Sequence, residues 1–422
     1  MKKFAHKAEL SRAIENFTGW LEDFGEESWD HQSFYAGGIG RFAKRLYYHN
    51  KLLGIPAVAP MVFCEALAPE ARKYFHRPMR LPISDAHYAM GFGYMYEVTG
   101  HKFYLDKATH FLDVLDHTRC PGFTEYCWGY PFDWVTRNGM IPAGTPLITT
   151  TPYVFEAFLQ MERLQPKSHW LHILYSITRH VTHDIKDFKL SETASTCTYT
   201  PFDKIGVINA SAYRAFTLTN LADFFGDDHL LDIAQPNLNF VLESQNADGS
   251  WPYAVDGKRD FVDHFHTCFV MKALAKIYLL TGNSRCLAAL ARGIEFYLGH
   301  LFSEDGMPRP FSRAPRLTVY RHELYDCAEC INLCLLLRPF FPQLHTTLEK
   351  VVSGVLKDWV KPDGSFRSRQ LMFGWDNVPM HRWGQSQMFR SLAAYLREAQ
   401  VAESKGNETN QTISYVRNLR AA

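Results

Sequence analysis

The feature that most constrains this chain is a repeated pattern of helix, glycine and helix. Thr99-Gly100 is followed by Leu105 and Ala108, Phe225-Gly226 by Leu231 and Ala234, and Thr281-Gly282 by Leu287 and Leu290. A periodic apolar segment precedes each glycine. The spacing predicts a helix closed by a left-handed glycine, a short turn, and a second helix packed back antiparallel. Degenerate copies at Arg163-Leu164-Gln165-Pro166 and Arg338-Pro339-Phe340-Phe341-Pro342 stop on proline instead, at a period of about 55–65 residues.

The connections at the other end of these hairpins are long: residues 120–151, 192–209, 244–260, 302–322 and 361–382. Three open on an Asp-Gly turn, at Asp248-Gly249, Asp305-Gly306 and Asp363-Gly364. New helices are expected near His87, Thr151, Ala210, Asp263, Asp326 and Gln385, with an earlier one near Phe34. Short turns on one face and long loops on the other predict an all-α fold, a closed α/α toroid of six or seven hairpins. An open solenoid is the alternative. Long loops in a compact domain usually carry function, which favours the toroid over a plain binding array. One catalytic toroid is expected over residues 1–400 and a polar tail over 401–422.

The segment Phe240-Val241-Leu242-Glu243-Ser244-Gln245-Asn246-Ala247-Asp248-Gly249-Ser250-Trp251 resembles the Gln–Trp repeat of terpenoid-cyclase and prenyltransferase-like toroids. The whole arrangement is similar to the six-hairpin glycosidases, polysaccharide lyases and sugar epimerases. The stretch from Trp251 to Cys268 also resembles uncharacterised proteins of bacterial exopolysaccharide gene clusters. These resemblances imply the fold and a carbohydrate setting, but not the reaction, because one fold hosts many chemistries.

Charge and composition narrow the partners. Lys plus Arg is 45 and Asp plus Glu is 44, a net charge of +1, so there is no global attraction to nucleic acid. No apolar run approaches the length of a membrane span, and no apolar stretch follows the basic N-terminus as a signal peptide requires. The nine cysteines are too dispersed for a disulfide scaffold, and a cytoplasmic location is expected. No phosphate-binding Gly-Lys-Ser/Thr loop or dinucleotide glycine fingerprint occurs, so no cofactor is expected. No metal is expected either. His264 and His266 are too close for a helical metal face, and Cys327, Cys330 and Cys334 fall on one helical stripe that reads as core.

Aromatics make up 14% of the chain, and in the long loops they are interleaved with arginines and carboxylates. Rings stack on apolar sugar faces, while bidentate groups hold hydroxyls and anions. The substrate-binding candidates are therefore Trp128, Trp134, Arg137, Asn209, Tyr213, Trp251, Tyr253, His264, Arg321, Trp375, Arg382 and Trp383. The competing reading is that the aromatics only pack the loops down.

For catalysis, Asp263 and His266 share a helix face at spacing three, a carboxylate-oriented imidazole able to shuttle protons. Asp326 and Glu329 repeat that spacing beside Tyr325, and Asp133 is a lone acid among aromatics whose pKa burial would raise. These features point to an anionic saccharide handled by hydrolase, lyase or epimerase chemistry. An isoprenoid diphosphate enzyme and a non-catalytic saccharide-binding toroid are the alternatives. The terpenoid motifs Asp-x-Asp-Asp and Asp-Asp-x-x-Asp are both missing from the sequence.

Overall fold

The computed structural model describes residues 6–405 apart from residue 205. Helix α1 (Lys7–Phe24) is followed by a cluster of four helices, α2 (Ser33–Ala36), α3 (Gly38–His49), α4 (Lys51–Leu67) and α5 (Arg72–Phe75). Five antiparallel pairs come next: α6 (Pro82–Thr99) with α7 (Lys102–His117), α8 (Thr151–Leu164) with α9 (Ser168–Arg179), α10 (Ile208–Phe225) with α11 (His229–Glu243), α12 (His264–Thr281) with α13 (Ser284–His300), and α14 (Leu324–Leu337) with α15 (Leu344–Gly354). Helix α16 (Ser386–Lys405) ends the described chain.

The even-numbered helices from α6 to α16 form an inner ring, each packed on the next, and α16 packs back on α6. The ring is closed. Its sixth hairpin joins the two ends of the chain, because the outer partner of α16 is α1. Phe17 of α1 stacks on Phe389 of α16 at 5.3 Å and on Phe366 at 5.2 Å. The toroid therefore has six hairpins. The helix expected near Phe34 belongs to the α2–α5 cluster and not to a seventh.

The glycine stops take the expected form. Gly100, Gly226 and Gly282 have φ of 67°, 68° and 70°, and their N–H groups donate to Tyr96, Ala222 and Tyr278 carbonyls. Only a residue without Cβ adopts that conformation freely. The Asp-Gly turns repeat almost atom for atom. Asp248 Oδ1 accepts from the Ser250 N–H at 3.0 Å, as Asp363 Oδ1 does from Ser365.

Short strands, which the helical periodicity did not signal, tie neighbouring long loops together. Val262–Asp263 pairs with Phe311–Arg313, and Tyr320–Glu323 with Arg369–Leu371. Stretches of two to four residues are below what alternation can reveal. The expected tail, 401–422, falls largely outside the described residues, and 401–405 complete α16.

Candidate active site

At the long-loop end of the ring lies a cavity of about 310 Å³. The loops contribute Trp134, Arg137, Tyr253, Arg382 and Trp383, and helix starts contribute Asn209, His266 and Tyr325. These residues come from separated segments because every inner helix begins at this end of the ring.

His266 is held by local helix geometry. Asp263 is the N-cap of α12, and its Oδ1 accepts from the His266 backbone N–H at 2.9 Å. Its Oδ2 accepts from the imidazole Nδ1 at 2.6 Å. One carboxylate thus caps the helix and fixes the tautomer, leaving the Nε2 lone pair for a ligand. The spacing of three is what lets an N-cap side chain meet both groups.

An aromatic wall continues from this imidazole. The Phe265 ring lies 4.3 Å from His266 and 5.2 Å from Trp383, which stacks on Tyr325 at 4.3 Å and 11°. On the far side of Trp383 is a second imidazole, His31, at 4.0 Å. Burial, above all, pushes His31 well below the usual imidazole range, so it is neutral at neutral pH. Arg382 donates to Tyr130 Oη at 2.8 Å and is gripped by Asp30. Lys44 donates to Gln32 Oε1 at 2.9 Å, and burial followed by the Arg316 charge lowers its pKa to about 7.

Deeper in, Tyr153 lines the cavity and shares a 2.6 Å hydrogen bond with Tyr213, which stands behind it. Burial pushes both phenols well up. Asn209 Oδ1 is buried with no hydrogen-bond partner, an open acceptor in the cavity wall.

Several expected residues lie elsewhere. Trp128 and Trp251 are core: their indole N–H groups donate to the Leu115 and Val241 carbonyls, in the last turns of α7 and α11, at 2.8 and 2.9 Å. His264 is also core, donating to the Leu301 carbonyl at 3.2 Å and accepting from the Tyr297 hydroxyl at 2.8 Å. Trp375 packs on Trp359 at 5.1 Å, away from the cavity, and Arg321 is an exposed strand residue outside it.

The expected acids are displaced too. Asp133 is not a lone buried acid. It pairs with Arg41 at 2.9 Å, and its side chain is 30% exposed. Asp326 and Glu329 are fully buried and do not line the cavity. Glu329 pairs with Lys272. Both Asp326 oxygens lack partners, and burial, then the charges of Glu323 and Asp263, push its carboxyl well up.

The sequence reading missed His31, Gln32, Lys44, Tyr153 and Tyr199, all cavity residues. The first three come from the insertion between α1 and α6, which carries no copy of the repeat.

The fold defines the class: a closed α/α toroid of six hairpins with an aromatic, cation-rich mouth. No family model matches the chain, and no curated protein resembles it in sequence. Solved structures do share its fold. One described as a possible GH105 family member from Salmonella enterica superposes with a TM-score of 0.61 at 12% identity, covering 94% of this chain and 96% of its own. An unsaturated glucuronyl hydrolase specific for heparin gives 0.60 at 10% identity, covering 94% and 97%. A cellobiose 2-epimerase from Bacillus thermoamylovorans gives 0.60 at 11%, covering 76% and 88%.

Proposed function

We propose that this protein is an enzyme that removes a proton from a carbon of an anionic saccharide, as eliminating lyases and epimerases do, with His266 as general base. The observation that carries this is the make-up of the cavity wall. Among the described residues that line it there is no Asp or Glu, while His31, His266, Lys44, Arg137, Arg259, Arg316 and Arg382 are all present. Glycoside hydrolysis ordinarily takes two carboxylates flanking the scissile bond. The nearby acids Asp30 and Asp263 are engaged with Arg382 and His266.

The wall supplies what proton abstraction needs. His266 Nε2 takes the proton next to a carboxylate or carbonyl, and the C–H electron pair moves into an enolate held by the cationic groups. From that intermediate a β-oxygen leaves, giving elimination, or the carbon takes a proton on its other face, giving epimerisation. The rings of Trp134 and Tyr253 stack on the sugar, and Asn209 accepts from a hydroxyl. The names of fold neighbours, a polysaccharide lyase and a cellobiose 2-epimerase among them, support a saccharide setting. The resemblance of Trp251–Cys268 to proteins of exopolysaccharide clusters supports placing it in bacterial surface-polysaccharide metabolism, and the chain's nine free cysteines support a reducing, cytoplasmic compartment.

Incubation with uronate-containing oligosaccharides and with neutral disaccharides in deuterium oxide tests this. Carbon-bound deuterium or a conjugated unsaturated uronide, seen by NMR and ultraviolet absorbance, is expected from the uronates. Incorporation of solvent oxygen at a cleaved glycosidic bond, with no new carbon-bound deuterium, overturns it in favour of hydrolysis.

A further inference from the structure

The α3–α4 hairpin faces outward with residues that a helix normally buries. Leu52, Ile55, Pro56, Ala59, Pro60, Phe63 and Leu67 are all exposed, and their spacing puts them on one face of α4. That stripe has the period by which a surface helix packs on its core, yet here it points to solvent. Leu52 is 86% exposed and Phe63 62%. Helix α3 adds Ile39 and Phe42, one turn apart, at 79% and 67%. A contiguous apolar surface of this kind marks an interaction site.

The exposed charges of the hairpin have one sign, since Glu65, the acid of α4, turns inward to Arg369. From His31 to Cys64 the chain has no Asp or Glu, but it has Arg41, Lys44, Arg45 and Lys51. Arg41 and Lys44 turn inward to Asp133 and Gln32, whereas Arg45, His49 and Lys51 are exposed beside the apolar stripe. Apolar side chains on one face with exposed cations beside them match the interface of an anionic bilayer, and the exposed Glu70 beyond the C-terminal end of α4 is paired with Lys73.

We propose that the α3–α4 hairpin docks this protein onto an anionic lipid surface. At 17 residues, α4 is about 26 Å long, short of the roughly 30 Å hydrocarbon core, so it lies in the interface. No helix among the described residues is long and apolar enough to cross a membrane. Pro56 and Pro60 lie inside α4 and have no N–H to give the carbonyls of Leu52 and Pro56. The wet headgroup layer can serve those carbonyls, which a dry protein interface would strand. A second copy fits less well, because a twofold pairing would set Arg45 and Lys51 against their own counterparts with no exposed acid in the hairpin to offset them. Lys44 and Tyr48 of α3 line the cavity, so a docked hairpin holds the mouth beside the headgroups. The proposal stands on the hairpin alone and does not depend on the saccharide chemistry.

The test is co-sedimentation of the full chain, without substrate, with phosphatidylglycerol–phosphatidylcholine vesicles and with pure phosphatidylcholine vesicles. Light scattering of the free protein runs in parallel. Wild type is expected to sediment with the anionic vesicles and to be released by salt. The double variants Leu52→Ser/Phe63→Ser and Arg45→Ser/Lys51→Ser are expected to bind roughly 10- to 30-fold more weakly. Their circular dichroism should be unchanged, since all four side chains are exposed. Failure of wild type to bind anionic vesicles overturns the proposal. So does equal binding by both variants, or a dimer that Leu52→Ser/Phe63→Ser dissociates in a protein that ignores vesicles.

Discussion

Arg382 and Asp30 lie 352 positions apart and meet in a two-pronged pair, Nε to Oδ2 at 2.8 Å and Nη2 to Oδ1 at 2.6 Å. Both side chains are almost completely buried. The pair fastens the insertion after α1 to the loop before α16, and so fixes the wall that carries His31 and Trp383. Burial alone would raise the Asp30 carboxyl. The Arg382 charge and hydrogen bonds override it and hold the carboxyl well below the usual range.

Arg382→Ala is therefore expected to destabilise the fold by about 3–5 kcal/mol, since it leaves a buried carboxylate without its partner. Asp30→Asn combined with Arg382→Met should recover much of that loss. A carboxyl with a lowered folded pKa stabilises above its ordinary value near 3.8, and that contribution fades as pH falls below it. Thermal melts between neutral and acid pH check both statements: the double variant should lose less stability on acidification than wild type.

His266→Gln is expected to lower turnover by roughly 10²–10⁴-fold, the usual worth of a positioned proton-transfer group. Asp263→Asn should cost turnover as well, because an amide no longer selects the tautomer with its lone pair on Nε2. Because Asn still caps helices, the circular dichroism of Asp263→Asn should match wild type. Deuterium uptake by the substrate measures the loss, and unchanged uptake in His266→Gln would remove this residue from the chemistry.

The sequence made the ring legible because its stops are chemical. A left-handed glycine after an apolar helix means one backbone conformation, and Gly100, Gly226 and Gly282 adopt it. Asp263 and His266 were legible for a similar reason, since an N-cap and its third neighbour interact locally. Trp128 and Trp251 misled because an aromatic residue in a long loop reads alike whether it stacks on a ligand or wedges between helices. Their indole N–H bonds to the preceding helix settle that point, and such a bond has no trace in composition. His31 and Lys44 were invisible because their neighbours in the site, Arg382 and Arg316, are hundreds of residues away.

Asp326 offers a contrast with His266. Its carboxyl is fully buried, unpartnered and pushed well up, which favours the protonated form in the folded chain. When unfolded it ionises near its ordinary value. Above that value the unfolded chain holds fewer protons, and folding stability falls as pH rises. Asp326→Asn, which keeps the shape without the proton, should flatten that decline in melts taken from pH 5 to pH 8. Turnover should stay within roughly tenfold of wild type, well above what His266→Gln retains.

Lys44 makes the cavity sensitive to pH. Its ammonium is charged below about 7 and neutral above, because burial and the Arg316 charge disfavour the cation. An anionic saccharide binds the charged form better, so affinity should weaken as pH rises from 6 to 8. A neutral sugar should show no such trend. One charge-assisted contact is worth about 1.5–3 kcal/mol, and the charged fraction of Lys44 falls about tenfold over that range, so affinity for a uronate should drop roughly 5- to 10-fold. Lys44→Met removes the group that titrates, and its affinity for the uronate should be low and level across that range. Calorimetric titration of both ligands at three pH values decides the matter: a slope that persists in Lys44→Met would assign the titration to another group.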